Sequence, residues 1–169
     1  MELYLLRHGA AVERGAKGYE VDADRPLAAK GRKQIRYAVA ALKNLGISFD
    51  LILTSPFVRA RETATLLAQS LKLSRCLELA DELKPETPPE KVIHRLAGLK
   101  SVSKQVLLVG HEPGLGELAS WLLTGTVSER FPLKKGGMMR LDTPKLKAGQ
   151  CAVLTWCLTP QQIKMLAGE

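Results

Sequence analysis

Short apolar runs alternate along this chain with longer stretches whose apolar residues recur at helical spacing, and that rhythm restricts the fold to the α/β class. Residues 3–6, 51–54 and 106–109 read as strands. Between them, residues 11–26 form a polar loop punctuated by Gly15, Gly18 and Pro26. Residues 27–45 place Ile35, Val39, Leu42 and Leu45 on one helix face, which Gly46 stops. Ser55 and Pro56 read as the N-cap and first residue of a helix reaching Leu71, with Ala60, Ala64, Leu67 and Leu71 inward. A short strand follows at 77–79, then a proline-rich loop at 81–89 and a helix at 90–99. Pro113 opens a helix with Leu115, Leu118, Ala119 and Leu122 inward, ending at Gly125. Two runs at 138–141 and 152–158 suggest an antiparallel addition to a mainly parallel sheet, and a helix at 161–166 closes the chain. No repeat or long linker divides the sequence, so one domain over 1–169 is expected.

A chain of 169 residues needs no disulfide or metal staple. Cys76, Cys151 and Cys157 are odd in number and lack zinc-ligand spacing, so free, reduced and mostly buried thiols are expected. Cys76 reads as a small buried hydrophobe, and Trp121 and Trp156 as packing residues. The N-terminal apolar run carries Glu2 and is broken at once by Arg7 and His8, unlike a signal peptide. No run approaches the roughly 18 apolar residues of a membrane span, so a cytoplasmic, membrane-independent protein is expected by elimination, with a monomer as the simplest state. The net charge of +8 gathers at Lys30, Arg32, Lys33, Arg36 and Lys43, and again at Lys134, Lys135, Arg140, Lys145 and Lys147. With 5% aromatic residues and no nucleic-acid motif, nucleic-acid binding is not expected. Basic helix faces are usually just solvated; the functional alternative is attraction of phosphate or of an acidic protein.

Three predicted strand ends carry reactive side chains: Arg7-His8-Gly9, then Ser55 through Arg59, then Gly110-His111. In open α/β sheets ligands bind at such carboxyl ends. A phosphoryl group in flight spreads negative charge over its oxygens, and a positioned cationic cage stabilises it. Arg7 and Arg59 supply planar, permanently charged donors. A neutral imidazole is a competent nucleophile near pH 7, provided that one ring nitrogen is bare. His8, beside Gly9 on a tight turn, fits that part, and His111, before a helix start, fits a donor to a phosphoryl oxygen. Taken singly, either histidine is an ordinary half-buried residue; the convergent set is the signal. His94 receives no role.

The ordered motifs Arg7-His8-Gly9, Ser55-Pro56-Phe57-Val58-Arg59-Ala60-Arg61-Glu62-Thr63 and Gly110-His111 resemble those of the histidine phosphatase superfamily, branch 1 (phosphoglycerate-mutase-like). Asp24-Arg25-Pro26-Leu27 with Gly31 and Gln34 is similar to that family's approach to its first core helix. The short length and the Arg25-Pro26-Leu27 segment most resemble SixA-type phosphohistidine phosphatases. The resemblance implies a three-layer α/β sandwich with helices on both faces of the sheet. It implies that His8 takes the phosphoryl group covalently, that Arg7, Arg59 and His111 complete the pocket, and that Arg25 adds a phosphate contact. It implies no metal or organic cofactor. The substrate it implies is a phosphohistidine-bearing signalling protein, such as a histidine phosphotransfer domain. A small phosphomonoester is the alternative, and a non-catalytic phosphate-binding adaptor the third possibility. Larger members carry an acidic proton donor on an inserted segment; here Glu82, in the short stretch from Ala80 to Leu83, is the candidate counterpart, with a solvated, purely structural acid as the alternative. A phosphoramidate, once protonated on nitrogen, needs such an acid less than a phosphoester does.

Overall fold

In the computed structural model, which describes residues 1–99 and 103–169, six strands form one sheet. They are β1 (Glu2–Arg7), β2 (Leu51–Thr54), β3 (Leu77–Leu79), β4 (Gln105–Gly110), β5 (Met138–Asp142) and β6 (Val153–Leu158). Their order across the sheet is β3-β2-β4-β1-β5-β6. β1 to β4 run parallel, β5 runs antiparallel to β1, and β6 runs antiparallel to β5. Helices α1 (Ala29–Asn44), α2 (Val58–Ser70), α3 (Pro89–Ala97), α4 (Gly114–Thr124) and α5 (Pro160–Leu166) cover it.

The period-2 alternation of strand side chains divides the core in two. Leu3, Leu5, Leu53, Val106 and Leu108 face one way and pack with Ile93 and Leu96 of α3 and Leu115, Leu118 and Leu122 of α4. Tyr4, Leu6, Ile52, Leu107 and Val109 face the other way and meet Ile35, Val39 and Leu42 of α1, Ala60, Ala64 and Leu67 of α2, and Ile163 of α5. Because both faces are covered, the central strands are apolar throughout rather than alternating. The result is the three-layer α/β sandwich expected, with β5 as its one antiparallel strand.

Local departures have local causes. Ser55 does not cap α2: the helix begins at Val58, with Phe57 at the N-cap position. α1 begins at Ala29 because Leu27 is held in an extended bridge with Ala11. Leu45 falls beyond the last turn and is exposed rather than inward. The proline-rich loop contains a single 3-10 turn at Asp81–Leu83. The thiols are free but not mostly buried: Cys76 and Cys151 are half-buried and Cys157 is exposed on the sheet edge. Trp156 packs against Tyr4, their ring centroids 5.8 Å apart.

Candidate active site

The registers of the three central strands bring the reactive residues together. Arg7 on β1 pairs with Gly110 on β4, and Thr54 on β2 pairs with Val109. The residues that follow these pairs are His8, His111 and Ser55, so all three emerge at one edge of the sheet. Past the strand ends the backbone stays locked: His8 N–H donates to the Gly110 carbonyl (3.1 Å), and Ser55 N–H to that of Val109 (3.0 Å). The His8 and His111 rings lie 5.0 Å apart, and both are buried.

Hydrogen bonding settles the tautomer of His8. The Gly9 carbonyl can only accept, so Nδ1 carries the proton and donates to it at 2.7 Å. Arg59 Nε can only donate, and it points its hydrogen at His8 Nε2 from 3.2 Å. His8 Nε2 is therefore unprotonated, and its lone pair accepts from Arg59. Burial pushes the His8 imidazole down to about 3, and the charges of Arg59, Arg7 and Lys135 act in the same direction. Burial, followed by the charges of His8 and Arg59, pushes His111 to about 2. Both rings are neutral near pH 7.

His111 Nε2 lies 2.9 Å from Ser55 Oγ, while its Nδ1 is buried without a partner. Arg7 donates from Nη1 to the Leu133 carbonyl (2.8 Å) and leaves its Nε buried and unpaired. Among the described residues these are the two buried side-chain polar atoms without a partner. Both belong to residues of the same cleft, which is where a protein interior leaves donors for a ligand.

That cleft has a volume of about 450 Å³ and is lined by Arg7, His8, Arg59 and His111, with Asp22 and Lys135 beside them. Thr63 fastens its floor: its hydroxyl donates to the Arg59 carbonyl (2.8 Å) and accepts from Gly9 N–H (3.1 Å). Glu62 accepts from Leu27 N–H (2.7 Å), tying the loop before α1 to α2. Arg59 is paired within the protein. Asp22 Oδ2 accepts from Arg59 Nη2 (2.9 Å), and Asp22 Oδ1 accepts from Arg25 Nη2 (2.7 Å) and Arg14 Nε (3.1 Å). Partial burial raises the Asp22 carboxyl, but the bond from Arg25 and the charge of Arg59 outweigh it and hold it at about 2.

Arg7, His8, Arg59 and His111 thus meet in one place. Arg25 lines the cleft too, but its guanidinium is engaged by Asp22 and by the Val12 carbonyl (2.7 Å). Glu82 does not line the cleft; it borders a narrow crevice on another side of His111, with Leu83, Val92 and Leu118. The carboxylates that do line the cleft are Asp22, Glu13, Glu86 and Glu112. Burial raises the Glu112 carboxyl, although it accepts from Leu133 N–H (2.8 Å) and Gly116 N–H (3.2 Å).

Asp22, Arg14 and Glu112 were not singled out by sequence, and Lys135 was named only within a basic cluster. The first two sit in an irregular loop with no periodicity to read. Lys135 belongs to the Lys-Lys-Gly-Gly turn before β5, whose glycines were the available signal. Among the described residues no three His, Cys, Asp or Glu side chains gather as metal ligands, and no helix is long and apolar enough to cross a membrane.

Residues 3–84 match the family model of the histidine phosphatase superfamily, branch 1. A phosphohistidine phosphatase SixA homolog of Haemophilus influenzae is 34% identical over 72% of this chain and 77% of its own length. This chain belongs to that superfamily. It is also 37% identical to an uncharacterised Picosynechococcus protein over 83% of this chain and 84% of that one. The structure of the protein histidine phosphatase SixA complexed with tungstate superposes with a TM-score of 0.82 at 25% identity, covering 97% of this chain and all of that one. The sheet order and the helical layers described above are therefore those of the SixA-type histidine phosphatase fold.

Proposed function

We propose that this protein is a phosphohistidine phosphatase that dephosphorylates a histidine on a signalling protein in a phosphorelay, through a covalent phospho-His8 intermediate. The observation that carries the reading is the unprotonated Nε2 of His8, its tautomer fixed by Gly9 and its lone pair turned toward Arg59, in a cleft where Arg7 Nε and His111 Nδ1 are buried without a partner. A phosphate binder has no use for a desolvated nucleophile; a phosphoryl acceptor requires one.

In the first step His8 Nε2 attacks phosphorus as the substrate's P–N bond breaks, and the substrate imidazole leaves carrying the proton on its nitrogen. Arg7, Arg59 and His111 Nδ1–H hold the equatorial oxygens, with Ser55 Oγ–H donating to His111 Nε2 to set that tautomer. In the second step water attacks phospho-His8, the N–P bond breaks, inorganic phosphate departs and His8 regains its lone pair. The leaving group is neutral imidazole, so the step does not depend on Glu82, which stands outside the cleft. The tungstate complex of SixA supports the reading, since tungstate is a tetrahedral oxyanion. Hydrolysis of a small phosphomonoester is the second reading, supported by Glu13 and Glu86, whose carboxylates line the same cleft.

The test compares a His-phosphorylated protein with simple phosphoesters, trapping labelled phosphate on the enzyme. We expect acid-labile label on the wild type, none on His8→Ala, and a preference for the phosphohistidine protein. A preference for esters would replace the substrate while keeping the nucleophile. Label on the His8→Ala protein would end the mechanism.

A further inference from the structure

Resting on that reading, we propose that a lysine-lined trough running from the cleft across α1 and α5 is the docking surface for the acidic face of the protein whose phosphohistidine enters the cleft. The cleft shares Arg7 and Lys135 with an adjoining hollow of about 580 Å³, also lined by Lys30, Gln34 and Lys134. That hollow shares Lys30, Gln34 and Pro160 with a further one of about 400 Å³, bordered by Lys33, Tyr37 and Lys164. The reacting centre thus opens onto a continuous basic path.

The charge on this path is uncompensated. α1 and α5 contain no Asp or Glu, and neither does the turn at 132–137. Among the described residues none of the five lysines forms a salt bridge, whereas Arg32 on the neighbouring side of α1 pairs with Glu62 at 3.1 Å. Two ammonium groups share one ring: Lys33 Nζ lies 5.6 Å and Lys164 Nζ 5.7 Å from the Tyr37 centroid. Gathering like charges without a counterion raises the local potential, and that potential draws in an acidic surface and orients it.

The path is also preset. Gln34 Nε2 donates to the Lys135 carbonyl (3.0 Å), Gln34 Oε1 accepts from Ala10 N–H (2.9 Å), and Gly136 N–H donates to the Arg7 and His8 carbonyls (3.1 Å each). The Lys134-Lys135 turn is therefore bolted to the strand that carries the nucleophile. Asn44 Nδ2 donates to the Leu166 carbonyl (2.9 Å), joining α1 to α5. Little backbone ordering remains to oppose association. A protein suits this surface better than a polynucleotide, because its one aromatic ring, Tyr37, is attended by two ammonium groups and is not free to stack a base.

The experiment uses the triple variant K30E/K33E/K164E, whose positions lie outside the cleft, with K30Q/K33Q/K164Q as the milder companion and circular dichroism as the folding control. The probes are an acidic phosphotransfer domain phosphorylated on histidine, and free phosphohistidine. We expect kcat/KM on the domain to fall about 10- to 100-fold through KM in the charge-reversed variant, and less in the neutral one. Turnover of free phosphohistidine should be unchanged, and the wild-type loss of rate with added salt should flatten. Unchanged kcat/KM on the domain would overturn the proposal. Binding of the same domain to His8→Ala, with and without the three reversals, separates the two readings. Binding lost on reversal, with no phosphate released by the wild type, would keep the docking surface and sink the phosphohistidine reading. No binding of the domain, with lysine-dependent binding of polyuridylate RNA or of phosphatidylserine vesicles, would sink the docking surface.

Discussion

Asp22 is the residue on which the resting site turns. Its carboxylate occupies three guanidiniums at once, those of Arg14, Arg25 and Arg59, and so stands where a phosphoryl oxygen would seek its charge. Held at about 2, it stays ionised across any working pH and competes with the substrate rather than titrating. Replacing Asp22 by Asn removes the charge while leaving an acceptor for Arg59. Inorganic phosphate, measured as a competitive inhibitor or by calorimetry, is expected to bind about tenfold tighter to that variant, the scale of one nearby charge. Unchanged or weaker phosphate binding would show that Asp22 shapes the loop and nothing more. Ser55 teaches a related lesson. Its place before Pro56 reads as a helix cap, yet its hydroxyl serves His111 instead, 2.9 Å away.

Between elements, the decisive contact is the one joining the β1 end to α1. A Cβ on Gly31 would fall on the Ala10 carbonyl, and a Cβ on Gly9 would approach the Gly31 carbonyl to 2.9 Å. Both are backbone neighbours, which have no rotamer to escape into. The two glycines let α1 close against the segment that follows His8, and Gln34, one turn further on, bonds Ala10 N–H (2.9 Å). Gly31→Ala is expected to cost about 1–3 kcal/mol or more in a urea melt, the range for overpacking a filled contact. Turnover should fall as well, because relief of the clash moves the backbone beside the nucleophile. Native stability with full activity would mean that the contact is looser than the structure shows.

At the scale of the whole molecule, burying two neutral histidines makes stability depend on pH with a definite sign. Folded values of about 3 for His8 and about 2 for His111 lie below the ordinary 6.5. Between those limits the unfolded chain binds more protons than the folded one, so stability rises with pH through this window. It is full above 6.5 and declines as the pH falls toward 3. Thermal melts should record that decline, and the His8→Ala variant should show a shallower slope over the same range. An equal slope in both proteins would show that carboxylates, not this ring, govern acid lability.

What the chain order determined by itself was the layered α/β architecture and the strand ends where chemistry could sit, because apolar periodicity and motif spacing are local and one-dimensional. The placements of Arg7, His8, Arg59 and His111 follow from those strand ends. Only the tertiary structure decided which polar groups meet across the loops: Asp22 against Arg59, Gln34 against the Lys135 carbonyl, Glu82 outside the cleft and Glu13 within it. In each pair a helix residue meets a loop residue, up to about a hundred positions away, and no period links the two. Their meeting depends on strand register, helix packing and backbone hydrogen bonds that exist only once the sheet has closed.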